Sequence, residues 1–226
     1  MKRLTPESSR RKQGLGDLSA PALSLLEELP VLGSMVKAYG IGRSISDRMF
    51  LRKVKRFTEG FEEVGSPAAE ELAKKIYEDE GFSERAAEAV LLSIDAITDL
   101  EKAPVLAYIY AAYLRDQIDF DTFRRLLAAV NQSIVDDLWT LTAEEPANGK
   151  WEENAHQTRW MAIEALRTTG ITALSRDSFA LVNKRSFATT EITSLGRTLI
   201  VILRDAEARR TAKENGWGSK AHSQAD

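Results

Sequence analysis

The chain has 226 residues, 43% of them hydrophobic, no cysteine, and a formal net charge of -3 at pH 7. That length and apolar content suffice to bury a full core. The absence of cysteine excludes disulfides, thiolate catalysis and cysteine-ligated zinc or iron-sulfur centres, and is compatible with a reducing cytoplasm. The small net charge conceals a division along the chain: residues 1–60 carry +6, residues 61–166 carry -13 and residues 167–226 carry +4. Basic ends of this kind either bind an anionic partner or dock on the acidic middle of the same or a neighbouring molecule.

Residues 1–18, MKRLTPESSRRKQGLGDL, are polar and basic without periodicity, which predicts a disordered arm. Pro21, Glu27, Glu28 and Pro30 interrupt the apolar stretch that follows, so a signal peptide is not expected and the chain reads as cytoplasmic. Residues 19–65 form an N-terminal amphipathic and basic helical segment. Within it, Leu23, Leu25, Leu26 and Leu29 keep helical spacing up to Pro30, and Val31 to Ile45 is weakly apolar and interrupted by glycines. Gly40-Ile-Gly42 opens like a dinucleotide fingerprint, but the third glycine is missing and no strand-helix alternation follows. From Ser46 to Val64 the residues Phe50, Val54, Phe57 and Phe61 repeat at four, three and four, an amphipathic helix capped by Ser46 or Ser44. Arg43, Arg48, Arg52, Lys53, Lys55 and Arg56 crowd its start and Glu59, Glu62 and Glu63 its end, the reverse of what the helix dipole favours. The basic cluster is therefore the candidate contact for an anionic partner, whether an acidic protein surface, a nucleic-acid backbone or an anionic membrane reached from the cytoplasm.

Residues 66–150 read as a helical core. Ser66-Pro67 starts one helix and Gly81 stops it; Ser83 caps the next, in which Ala86, Val90, Ile94 and Ile97 are periodic. Pro104 to Leu114, PVLAYIYAAYL, has no charged residue and no polar stripe, so it must be a central helix buried on every side. Asp119 caps a long helix with Phe120, Phe123, Leu127, Val130, Ile134, Leu138 and Leu141 in step, and Asp116 to Asp119 is short enough only to reverse direction. Thr142 to Lys150 is a loop by composition. Residues 151–208 begin with a helix, Trp151 to Thr169, ended by Gly170. Two strands, Phe179 to Val182 and Phe187 to Ile192, then precede a helix capped by Thr193 or Ser194, and residues 209–226 form a polar, disordered tail. The predicted fold is mainly α, a multi-helix bundle around the buried central helix with a small C-terminal β-hairpin.

That order of helix, Gly170-Ile171, two strands and Thr193-Ser-Leu-Gly196-Arg197 before a final helix resembles the end of winged-helix domains in bacterial regulators. The resemblance implies a wing between the strands, with Lys184 and Arg185 as its contact residues. The run ITDLEKAPVLAYIYAAYLRDQIDFDTFRRLLAAVNQSIVDDLWTL resembles a helical segment of bacterial proteins from mobile-element and phage-defence neighbourhoods.

No catalytic, cofactor-binding or metal-binding set emerges. His156 and His222 are the only histidines, and Glu152 four residues before His156 makes half a metal site on one helix face. Asp136-Asp137 and Glu144-Glu145 are adjacent pairs that cannot face one reacting centre on a helix. The expectation is a non-enzymatic interaction or regulatory protein, with a protein partner or self-association as its mode; a nucleic-acid-binding regulator and a peripheral membrane protein are the alternatives.

Overall fold

The computed structural model describes residues 45–63, 80–143, 145–146, 148–152, 157–175 and 189–222. The basic arm, the Leu23–Leu29 helix, Arg43, the Ser66-Pro67 helix start, His156, the Phe179–Val182 strand and the wing residues Lys184 and Arg185 lie outside these. Seven helices and one three-stranded antiparallel sheet make up the described residues, so the chain is mainly α with a small β element near its C-terminus.

The core is assembled around helix α3 (Lys102–Leu114), every residue of which is buried. Pro104 is its third residue, where backbone N–H groups have no intrahelical acceptor to lose. Helix α1 (Ile45–Glu63) lies along α3 and supplies Val54, Phe57 and Phe61 to the core. Helix α2 (Glu80–Ala96) buries Ala86, Val90 and Ile94, as their spacing predicts, but Gly81 and Ser83 fall inside it and are neither stop nor cap. Helix α4 (Phe120–Gln132) follows the reversal after α3, where Asp116 takes a left-handed conformation (φ 55°) that aspartate tolerates. Asp119 caps α4 by accepting from the Thr122 backbone N–H at 2.7 Å, and that bond holds its carboxyl below the usual range. An aromatic spine ties these helices together: Tyr110 meets Phe57, Phe61 and Phe123 at centroid distances of 6.2, 6.0 and 6.0 Å, and Tyr113 stacks on Phe123 at 4.6 Å.

The single long helix expected after Asp119 is two helices, because Ser133 is extended (ψ 159°) and separates α4 from α5 (Val135–Ala143). Three groups satisfy the carbonyls left open at the break. The Ser133 hydroxyl donates to Ala129 O at 2.8 Å, its N–H to Ala129 and Val130, and the Lys102 ammonium reaches Asn131 O at 3.0 Å. The break turns Ile134 outward, 62% exposed, and Val135 inward. Asp136 and Asp137 then occupy the first turn of α5, where the dipole favours acids.

Trp151 lies in strand β1 (Lys150–Glu152), not in a helix, because Gly149 (φ 66°) and Asn148, whose side chain accepts from Lys150 N–H, turn the chain beside strand β3 (Thr189–Ile192). Helix α6 is only Gln157–Ala165, and strand β2 (Thr172–Leu174) begins two residues after Gly170. β3 is the central strand, with Trp151 opposite Thr190 on one side and Ala173 opposite Glu191 on the other. Of the expected strand Phe187 to Ile192, the described part is β3. Finally, α7 (Ser194–His222) runs through most of the stretch expected to be a disordered tail. Residues 205–214 hold mostly alanine, glutamate, lysine and arginine, good helix formers without proline, which outweigh their lack of an apolar stripe.

Candidate functional site

Helix α1 carries the basic cluster singled out by the sequence. Five of its six residues are described, and they divide into two sets. Lys53 and Arg56 turn toward the body. The Lys53 ammonium donates to Asp95 O at 2.7 Å, one of the open carbonyls at the C-terminus of α2. The Arg56 guanidinium bridges Glu101 at 3.0 Å and Glu59 at 3.3 Å, and these bonds, that to Glu101 foremost, raise its pKa against the opposing effect of burial.

Arg48, Arg52 and Lys55 form the other set, and all three are exposed. Among the described residues, Lys55 makes only a loose in-helix pair with Glu59 at 3.7 Å. Arg48 and Arg52 have no ion-pair or hydrogen-bond partner among the described residues. At ~100° per residue these three side chains fall on one stripe opposite buried Val54, Phe57 and Phe61, and the same stripe continues through Glu59 and exposed Glu62.

What holds this stripe in place is a close helix crossing. A Cβ on Gly60 would come within 2.6 Å of Pro104 Cα, so α1 sits on α3 at a separation only glycine permits. Glu63 accepts a short hydrogen bond from the Tyr108 hydroxyl, and burial followed by that glutamate pushes the Tyr108 phenol well above its ordinary range. The basic face is therefore presented by a helix anchored from Lys53 to Glu63.

The C-terminal motif has a structural explanation. The Thr193 hydroxyl donates to Gly170 O at 2.7 Å and accepts from Gly196 N–H at 3.1 Å, which caps α7 and ties it to the turn after α6. A Cβ on Gly196 would lie 2.2 Å from Ile171 O, so glycine is required by the contact between α7 and that turn. On α6 Arg159 is engaged within the chain, and in the turn after it Arg167 is paired with Glu164 at 3.0 Å, whereas Arg197 and Arg210 on α7 are exposed.

A groove of about 670 Å³ separates α4 from this end, lined by Asp121, Arg125 and Gln132 on one side and by Thr168, Thr169 and Thr198 on the other. The three threonine hydroxyls donate to the carbonyls of Ala165, Leu166 and Ser194, and Arg125 is paired with Asp121 at 2.7 Å. The seam thus has no aligned nucleophile and base. Glu152 lies in β1, so it does not share a helix face with His156, and the described residues hold no cluster of three or more potential metal ligands.

Sequence reasoning missed Glu101 as the partner of Arg56, and the burial of Lys102. The signal for Lys102 was available in the uncharged run it introduces: a helix without a polar stripe buries its first turn with the rest. No family model, no curated protein and no solved structure matches the chain.

Proposed function

We propose that the chain is a non-enzymatic interaction protein that binds an acidic surface of a protein partner through the outward stripe of α1. The observation that carries the reading is the exposure of Arg48 and Arg52, unpartnered among the described residues, on a helix whose other basic side chains, Lys53 and Arg56, fasten it to the body. An arginine held on a rigid support loses less freedom on pairing with a carboxylate than one on a mobile segment. A protein surface fits the stripe better than DNA, RNA or an anionic bilayer does. Glu59 and Glu62 on the same line would repel a continuous polyanion, whereas a partner of mixed charge can match both signs. The resemblance of the middle of the chain to helical proteins of phage-defence and mobile-element neighbourhoods supports a bacterial regulatory setting, and the winged-helix-like end serves in this reading as a packing scaffold.

The test is the double variant Arg48→Glu with Arg52→Glu. Both positions are exposed, so its thermal midpoint should stay near that of the wild type. Chemical crosslinking in native lysate should give a protein adduct with the wild type that the variant loses. Identical adducts from both, or none from either, would remove the stripe from the binding surface.

A further inference from the structure

The charges on the outward stripe of α1 are arranged to complement themselves. Arg52 and Lys55 are three residues apart, Glu59 and Glu62 are three residues apart, and the midpoint between the pairs falls at the level of Phe57. With a rise of ~1.5 Å per residue, Arg52 and Glu62 stand ~7.5 Å on either side of that midpoint, and Lys55 and Glu59 stand ~3 Å on either side. At ~100° per residue all four project within a wedge of about 80°. Arg52, Lys55 and Glu62 are exposed, Glu62 also making a contact within its own chain, and the Glu59 side chain, which pairs with Arg56 and Lys55, retains 36% exposure.

We infer that the acidic surface recognised by this stripe is the same stripe on a second copy of the chain, in an antiparallel pairing of the two α1 helices. The inference rests on the functional reading above and names its partner. Turning one α1 end for end about the level of Phe57 sets Arg52 and Lys55 of each copy among Glu59 and Glu62 of the other, with Arg52 on the same side of the seam as Glu59 and Lys55 on the same side as Glu62. It also explains the charge order, which the helix's own dipole opposes. In the antiparallel pair, the basic N-terminal half of each helix faces the acidic C-terminal half, and the two dipoles oppose each other. A parallel pairing would set like charges side by side. A contact made by one helix face is small beside the roughly 1,200–2,000 Å² of stable complexes, so the association is weak and salt-sensitive.

The full-length chain is examined by analytical ultracentrifugation over a concentration series at low and high salt. The wild type should self-associate at low salt and dissociate as salt is added. Reversal of the basic pair (Arg52→Glu with Lys55→Glu) makes the stripe acidic from residue 52 to residue 62, and reversal of the acidic pair (Glu59→Arg with Glu62→Arg) leaves it basic over the same span. Each double variant alone should be monomeric, and an equimolar mixture should form a one-to-one complex. Misfolded chains would not regain a defined complex on mixing, so the mixture separates lost charge matching from lost structure; circular dichroism of each variant checks this directly. A wild type that stays monomeric at low salt, variants that self-associate as the wild type does, or a mixture that fails to associate would each overturn the pairing. Binding of monomeric wild type to duplex DNA or to phosphatidylserine vesicles, lost in Arg52→Glu with Lys55→Glu, would overturn it in favour of a polyanion. If the wild type is monomeric but its lysate adduct still disappears in the Arg48→Glu, Arg52→Glu variant, the self-pairing fails while the broader reading stands.

Discussion

α1 and α3 lie against each other for most of their length, yet the first is divided into two faces and the second has none. α3 is sealed on all sides, from Lys102 to Leu114, by α1, α2, α4 and α7. Its sequence records only where it must sit. α1 buries Val54, Phe57 and Phe61 and leaves Arg48, Arg52 and Lys55 in solvent, so one half of its circumference is determined by the core and the other is open to functional constraint. The lesson is that the most predictable helix of this chain says least about activity, while its less regular neighbour carries the candidate surface.

The largest test of this contrast is Ile109→Asp. Ile109 is 0% exposed, so an aspartate there is an uncompensated carboxylate in an apolar site, costing several kcal/mol, which is comparable with the whole stability of a domain. Leu92→Asp, at a position 61% exposed, should change stability by no more than about 0.5 kcal/mol. Urea unfolding of the two variants should show loss of a cooperative transition in the first and a nearly unchanged midpoint in the second.

Next in size are the two glycine contacts, one in the helical body and one at its sheet-bearing end. Gly60→Ala pushes α1 from α3 at Pro104, and Gly196→Ala pushes α7 from the carbonyl of Ile171. Both neighbours are backbone atoms that cannot swing aside, so each substitution should cost about 1–3 kcal/mol by overpacking. If Gly60→Ala leaves the thermal midpoint in place, the close crossing that presents the basic stripe is wrong.

How much of this was legible in the sequence follows from the range of the interactions concerned. The buried helix, the aromatic and aliphatic stripes of α1 and α2, the Asp119 cap and the reversal before it are local patterns, and each lies where spacing placed it. The break at Ser133 is not local: the stripe runs through it without a fault, and one of the groups completing the break, Lys102, is 29 residues away. β1 is hidden from sequence for a similar reason, since a three-residue strand has no period of its own and forms where β3 offers an edge. In the candidate site, the basic cluster could be read from sequence but its division could not. Glu101, 45 residues beyond Arg56, and the Asp95 carbonyl are what draw two of the six basic residues inward.

Lys102 sharpens the comparison from within α3, because it is the one ammonium group in an otherwise uncharged sealed helix, and only 6% exposed. Burial lowers its pKa, with Asp99 opposing. In the unfolded chain it keeps an ordinary value near 10.5, so in the window between the lowered folded value and 10.5 the unfolded state binds more protons. Stability contributed at this position therefore rises as pH increases through that window. Tyr108 and Tyr110 act in the opposite sense above pH 10, since burial raises both phenols in the folded state. Measuring the wild type against Lys102→Met removes the tyrosine contribution, which both proteins share. The difference in thermal midpoint should move in favour of the wild type as pH is raised from 8 toward 10.5. A difference independent of pH would mean that the ammonium is solvated and α3 is open at its first turn.

The smallest expected effect is at Arg56, and it decides whether the basic residues of α1 truly fall into two sets. Its pairing with Glu101 joins groups 39% and 60% exposed, so the interaction is worth at most about 1 kcal/mol and should weaken with salt. Arg56→Gln, Glu101→Gln and the double variant form a cycle in which the coupling energy should be a few tenths of a kcal/mol, positive at low salt and close to zero at high salt. The same cycle run with Arg48→Gln in place of Arg56→Gln should give no coupling at either salt concentration, because Arg48 has no partner among the described residues. Coupling of similar size in both cycles would mean that Arg48 reaches the acidic middle of its own chain as Arg56 does. The outward stripe would then be part of the internal electrostatic contact, and binding of a second molecule would have to displace it.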